Sequence, residues 1–172
     1  AALNLYWLAR FLGAGRIPAV LGGLCFGLFG FLGSNDWPQM INGVVWAPLV
    51  LLFLFRSAKS VLPLRDAGWA GFFLGLCWLS GHHQLPIFVS LSALAAAVAL
   101  RLYPAALSFA IAGLIAAPQL LPGLAYGKLA VRWVGMEHPV GWQEKVSYYV
   151  HDQYASPPSS LLSLLLPGAE TH

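Results

Sequence analysis

Two adjacent histidines and a glutamine interrupt an apolar part of the chain, in the segment 80–84 (SGHHQ). Imidazole titrates near neutral pH, so His82 or His83 can hydrogen-bond or pair with an anionic group such as a lipid phosphate. The same segment, including Gln84, can also be a simple polar turn between two helices at a membrane interface. Adjacent histidines point to different sides of a helix, so they do not make a metal site by themselves.

A second polar insertion lies in the segment 117–122 (APQLLP), which we predict to end another apolar run. Gln119 can bind a sugar hydroxyl, or it can satisfy a backbone carbonyl that a proline leaves without its helical donor. Further along, Lys128 and Arg132 are four residues apart. They can hold a phosphate at a membrane surface or act as ordinary interfacial anchors.

The elements that position these residues are predicted to be membrane helices. The hydrophobic fraction is 59%, the charged fraction is 9% and the mean hydropathy is +0.72. The apolar residues form blocks, which is typical of membrane spans. We therefore predict an all-α, polytopic transmembrane helical bundle with about five complete spans plus a partial first one. The first is a stub that ends near Arg10, followed by segments at about 17–33, 38–55, 67–80, 84–100 and 104–122.

One of these segments is short for a membrane span. Residues 67–80 cover only about 21 Å as a helix, whereas the hydrocarbon core is about 30 Å thick. Either the helix begins earlier, near Leu62, or the polar segment 80–84 lies at membrane depth. A polar group at that depth must face protein or a water-filled cavity, and we favour the rim of a cavity.

The distribution of charge predicts the orientation of the helices. If successive connections alternate between the two sides, six of the nine basic residues share one side, which is then cytoplasmic. The histidines and most of the acids fall on the other side, so any chemistry is expected to be extracytoplasmic. Scattered single basic residues give no nucleic-acid footprint. The six residues on the cytoplasmic side are Arg10, Arg16, Arg56, Lys59, Arg65 and Arg101.

The composition changes after residue 122. We predict a transmembrane helical region at 1–122 and an extracytoplasmic or interfacial loop at 123–172 that returns toward the membrane, because the second part mixes aromatic and charged residues. Asp36, before Trp37 and Pro38, can be an acid, a base or a metal ligand, but the proline favours a helix N-cap.

Two pairs of glycines have the spacing that lets helices approach closely. They are Gly23 with Gly27 and Gly71 with Gly75. The spacing predicts tight helix packing and needs no functional role. Pro48 is expected to kink its segment.

Several short motifs follow one another along the chain. They are 26–33 (FGLFGFLG), 45–52 (VWAPLVLL), 80–84 (SGHHQ), 117–122 (APQLLP) and Arg132. In this order they resemble the bacterial YfhO membrane protein family, which is similar to the GT-C class of glycosyltransferases. The resemblance implies a multi-spanning enzyme of the bacterial cytoplasmic (inner) membrane. Such an enzyme takes a sugar from a polyprenyl-phosphate donor and transfers it to a cell-envelope glycopolymer or lipid outside the membrane.

The resemblance also implies which side chains line the donor cavity, namely His82, His83, Gln84, Gln119 and Arg132. A divalent cation, Mg²⁺ or Mn²⁺, can stabilise the phosphate leaving group in such an enzyme. The acid expected of this class would lie in an outer loop before Ala1. We therefore interpret the chain as an internal fragment, with the catalytic residue and any metal ligands unassigned.

A non-catalytic alternative is an integral membrane subunit or scaffold. It would pack in a larger membrane complex through its glycine-lined helices and its outer aromatic loop. A transporter ranks third, because the polar residues gather at one membrane face and not at the midplane. The sugar, the acceptor and the oligomeric state do not follow from the sequence.

Overall fold

A computed structural model of the chain describes residues 1–28, 30–33, 37–131, 140–141, 144–145, 148 and 152. The chain divides into two compact units, Ala1–Pro122 and Gly123–His172, and the candidate site lies in the first. The regular elements of the described residues are eight helices. They are α1 (Ala2–Phe11), α2 (Arg16–Leu28), α3 (Gly30–Gly33), α4 (Pro38–Val45), α5 (Ala47–Ser57), α6 (Pro63–Trp78), α7 (Gln84–Ala99) and α8 (Ala105–Leu129).

The all-α class is confirmed, but the prediction of a GT-C-like bundle with about five complete spans is wrong. Within the described residues, two helical stretches are long and apolar enough to cross a membrane: Pro38–Ser57, which joins α4 and α5, and Ala105–Leu129. Helices α2 and α7 are apolar but have only 13 and 16 residues. At about 1.5 Å per residue they fall short of the hydrocarbon core. The apolar runs counted in the sequence include turn residues as well as helix.

The boundaries of α6 and α8 differ from those of the predicted segments. Helix α6 has 16 residues and begins at Pro63 after an N-cap at Leu62, so the earlier of the two predicted starts is the observed one. Helix α8 continues through Pro118 and Pro122 to Leu129 instead of ending at residue 122. Each proline removes one backbone donor. The other backbone groups of an apolar segment still need hydrogen bonds, and a helix provides them, so α8 continues past both prolines.

Helices α5 and α6 pack antiparallel through stacked aromatic rings. The ring of Phe73 lies 5.7 Å from that of Trp46 and 5.6 Å from that of Phe53. Phe53 also contacts Trp69, one turn closer to the start of α6. The helix is interrupted at Trp46, two residues before Pro48, in agreement with the predicted kink.

Helices α6 and α8 run parallel and almost touch. A Cβ atom added to Gly71 would lie 2.5 Å from the carbonyl oxygen of Ser108, and one on Gly75 would lie 2.7 Å from Cβ of Ile115. The buried Ser108 hydroxyl donates to the Ala67 carbonyl at 2.8 Å. The close approach predicted from the glycine spacing is therefore confirmed for this pair.

Helix α1 is held by a similar contact with α2. A Cβ atom on Gly23 would lie 2.6 Å from the Ala2 carbonyl oxygen, and one on Gly27 would lie 3.1 Å from Cβ of Ala2. Asn4 also donates its side-chain amide to the Val45 carbonyl at the end of α4, at 2.8 Å. The second predicted glycine pair is thus also a helix contact.

A buried carboxylate joins the end of α5 to the start of α6. The Asp66 side chain is 1% exposed and one of its oxygens lies 3.6 Å from Arg56 and 3.5 Å from Arg65. Nearby, the Lys59 amine sits over the Phe11 ring, 5.9 Å from its centroid. These cations therefore gather at one end of the helices, as the alternating connections predict, while their membrane side stays a prediction.

The contact between α6 and α8 can be tested by adding one methyl group. In Gly71→Ala the new Cβ meets a backbone oxygen that cannot move without separating the helices. We expect the free energy of unfolding in detergent micelles to fall by about 1–3 kcal/mol. Gly113→Ala is the matched control, because nothing lies within 4 Å of its added Cβ. It should be neutral or stabilising by up to about 1 kcal/mol. Equal destabilisation by both variants would contradict the close packing.

Candidate functional site

The two predicted histidines lie in a tight loop, residues 79–83, between α6 and α7. Leu79 caps α6, and Gly81 turns the chain with φ of +86°, a left-handed conformation that favours glycine. His83 is the N-cap of α7, and its carbonyl accepts from the Ile87 N–H at 3.2 Å. The loop therefore has a defined backbone path.

Gln119 on α8 reaches this loop from a distant part of the sequence. With its amide turned to satisfy both groups, its nitrogen donates to the Leu79 carbonyl at 3.2 Å. Its oxygen accepts from the Gly81 N–H, also at 3.2 Å. Neither role predicted for Gln119 includes this pair of bonds. The two polar insertions seen in the sequence thus meet at one place.

One imidazole nitrogen of His82 makes no hydrogen bond within the described residues. Its Nδ1 is buried and has no hydrogen-bond partner within the described part of the chain. Its backbone carbonyl accepts from the Ser80 hydroxyl at 3.4 Å. A buried polar atom without a partner costs about 1–3 kcal/mol, so a hydrogen bond to this nitrogen would stabilise the loop.

Helix α4 closes another side of the loop. A Cβ atom on Gly43 would lie 3.3 Å from the Ser80 hydroxyl oxygen and from Cβ of Leu85. Nearer the start of α4, Cβ of Gln39 lies 3.9 Å from the position of a Cβ added to Gly81. Sequence reasoning missed Gln39. The available signal was a polar residue one position after the helix-starting Pro38.

Two neighbouring residues of the predicted set, one in the loop and one at the start of α7, are exposed. His83 and Gln84 are exposed. The His83 ring lies 6.3 Å from that of Trp78, whose Nε1 donates to the Ser90 hydroxyl at 3.2 Å. The adjacent imidazoles therefore diverge, and only His82 turns a nitrogen into the protein interior.

The remaining predicted residues fall largely outside the described part of the chain. Arg132 and Asp36 lie outside the described residues, so their predicted binding, acid–base or metal-ligand roles stay predictions. Lys128 is in the last turn of α8, which ends at Leu129. Helix α4 begins at Pro38 with Trp37 as its N-cap residue, so the prediction that Asp36 is the N-cap is wrong. Among the described residues, no group of three or more His, Cys, Asp or Glu side chains could hold a metal ion. A Mg²⁺ or Mn²⁺ site therefore also stays a prediction.

Comparisons with protein-family models, with characterised proteins and with solved structures gave no match to this chain. The resemblance to the YfhO family therefore stays a prediction.

The role of Gln119 as the clamp of the loop can be tested by Gln119→Leu. This change removes two hydrogen bonds to the loop backbone, each contributing about 1 kcal/mol. We expect hydrogen exchange of the Gly81 amide to accelerate roughly tenfold or more. Gln84→Leu is the control, since Gln84 is exposed. Unchanged exchange at Gly81 in Gln119→Leu would show that the clamp does not hold the loop.

Proposed function

We propose that this chain is part of a membrane glycosyltransferase that binds a polyprenyl-phosphate-linked sugar at the 79–83 loop. The donor's phosphate or a sugar hydroxyl hydrogen-bonds to His82, and the sugar passes to a cell-envelope glycopolymer or lipid. The proposal is supported by the buried Nδ1 of His82, which has no hydrogen-bond partner among the described residues. This residue lies in a loop that Gln119 holds through two hydrogen bonds.

The chemistry of such a donor fits the groups at this end of the helices. A sugar phosphate offers several oxygens that accept hydrogen bonds and several hydroxyls that donate them. An imidazole can do either, depending on its protonation. The exposed His83 of the loop and Gln84 at the start of α7 add two further polar groups. Gln119 acts here as a positioning residue, because both ends of its amide bond to the loop.

A membrane location supports the choice of a lipid-linked donor. Two helical stretches, Pro38–Ser57 and Ala105–Leu129, are long and apolar enough to cross a bilayer. One begins beside the loop with Gln39, and the other contributes Gln119. A polyprenyl chain would remain in lipid while its phosphate reaches the loop. We place this end on the extracytoplasmic side of the bacterial inner membrane, because the cations Arg56, Lys59 and Arg65 lie at the opposite end.

The alternative of a non-catalytic subunit is less well supported. It relies on glycine-lined helices for contact with a partner. Gly71 and Gly75 already contact α8, and Gly23 and Gly27 already contact α1. Those surfaces are occupied within the chain, so ligand binding at the loop is the better-supported function.

The proposal can be tested with a photoactivatable polyprenyl-phosphate sugar. The intact protein in nanodiscs should crosslink to this probe, and His82→Ala should lower the apparent affinity roughly tenfold, which corresponds to about 1.4 kcal/mol. His82→Asn should retain part of the binding, since its amide places a polar atom near the position of Nδ1. Transfer of labelled sugar to envelope membranes should fall in the same order.

Ser92→Ala is the matched control for this experiment. Ser92 is exposed on α7 and bonds only to the Phe88 carbonyl of its own helix, at 2.8 Å. Its removal should leave both binding and transfer unchanged. If His82→Ala binds the probe as well as Ser92→Ala does, the assignment of the site is wrong.

A further inference from the structure

The turn between α7 and α8 places an arginine where helices usually place glycine. The Leu102 N–H bonds to the Ala97 carbonyl at 2.8 Å, and the Arg101 N–H bonds to the Val98 carbonyl at 3.1 Å. This pair of bonds is the Schellman arrangement that ends a helix with one left-handed residue. That residue is Arg101, with φ of +52°. Its side chain makes the backbone conformation less favourable than glycine would.

Among the described residues, no hydrogen bond or ion pair of the Arg101 side chain offsets this strain. Arg101 is exposed, and across the described ranges its guanidinium takes part in no hydrogen bond or ion pair. A strained residue that persists without a local partner is a reason to look for a ligand. Within the described residues, the charge of this arginine is therefore available to a ligand.

The same arginine lines an apolar groove between α7 and α8. The groove has a volume of about 530 Å³, and its walls are aliphatic side chains of both helices together with Phe109. Arg101 and Tyr103 are the two polar side chains that line it. Tyr103 is 87% exposed. An apolar groove with a free cation and a phenol fits an amphipathic anion.

A second groove of nearly equal size also contains an arginine, but that arginine is paired. It has a volume of about 520 Å³, lies against α1, α5 and α6, and includes Arg56. The charge of Arg56 is already used, because its guanidinium lies 3.6 Å from Asp66 and 5.2 Å from the Phe53 ring centroid. The groove of Arg101 thus differs from that of Arg56, because its arginine is unpaired among the described residues.

We propose that the α7–α8 groove binds an anionic phospholipid, with one acyl chain against the aliphatic walls and the lipid phosphate paired with Arg101. Tyr103 can donate its hydroxyl hydrogen to the same phosphate. Basic pockets between membrane helices bind acidic headgroups in this way. A zwitterionic lipid carries its own cation beside the phosphate, so it gains less from the arginine. The site lies at the other end of α7 from the 79–83 loop and is independent of the proposed function.

The test uses Arg101→Gly, a change that removes the charge and places glycine in a conformation that favours it. The purified protein is reconstituted in nanodiscs with equal amounts of phosphatidylglycerol and phosphatidylcholine. Lipids retained after extraction are then counted by native mass spectrometry. We expect the unmodified protein to retain phosphatidylglycerol preferentially and Arg101→Gly to lose that preference roughly tenfold. The melting temperature of the variant should be unchanged or raised.

Two further variants separate the effect of the charge from that of the backbone. Arg101→Lys should keep most of the preference, because a cation remains. Arg16→Gly, which removes a cation from the start of α2, should leave it unchanged. Equal retention of phosphatidylglycerol by Arg101→Gly and the unmodified protein would overturn the proposal. So would displacement of phosphatidylglycerol by an equimolar polyprenyl phosphate, which would make the groove a site for that lipid.

Discussion

The close approach of α6 and α8 is the constraint on which the rest of the described structure depends. Gly71 and Gly75 leave no room for a side chain between the two backbones, so the helices lie in one register along their length. Each turn along α6 is matched by one turn along α8, from the Ser108 hydroxyl bond to Ala67 up to the end of α6. Interiors this tightly packed resist small shifts. The register therefore fixes the position of the later residues of α8.

Gln119 lies further along α8, and the register brings it to the loop after α6. A glutamine in an apolar helix must place its amide against some partner, and the carbonyl of Leu79 and the amide of Gly81 provide both halves of one. The clamp holds the backbone on either side of Ser80 while leaving the imidazole of His82 with a buried, unpaired nitrogen. Rigid backbone beside one unsatisfied polar atom is the arrangement expected of a binding site.

At the opposite end of the helices, charged side chains lie in two different environments. Asp66 is almost completely buried, and two arginines offset the cost of removing its charge from water. Among the described residues Arg101 has no such partner, and it lies beside an apolar groove. The described part of the first unit thus has basic side chains at one end of its helices and the 79–83 loop with Gln119 at the other. That asymmetry is the physical basis for placing a lipid phosphate at Arg101 and a donor sugar near His82.

The sequence by itself determined the helical class, the contacts at the two glycine pairs, the break near Pro48 and the polarity of the two ends. Each of these depends on composition or on spacing within one segment. Helix lengths were misjudged, because an apolar run does not show that α6 begins at Pro63 or that α8 continues through its prolines to Leu129. Only the tertiary structure paired Gln119 with Gly81 and left Nδ1 of His82 without a hydrogen-bond partner among the described residues, since hydrogen bonds between distant segments depend on helix register. It also revealed the free charge of Arg101, because a cation in a sequence does not show whether a carboxylate such as Asp66 lies within reach.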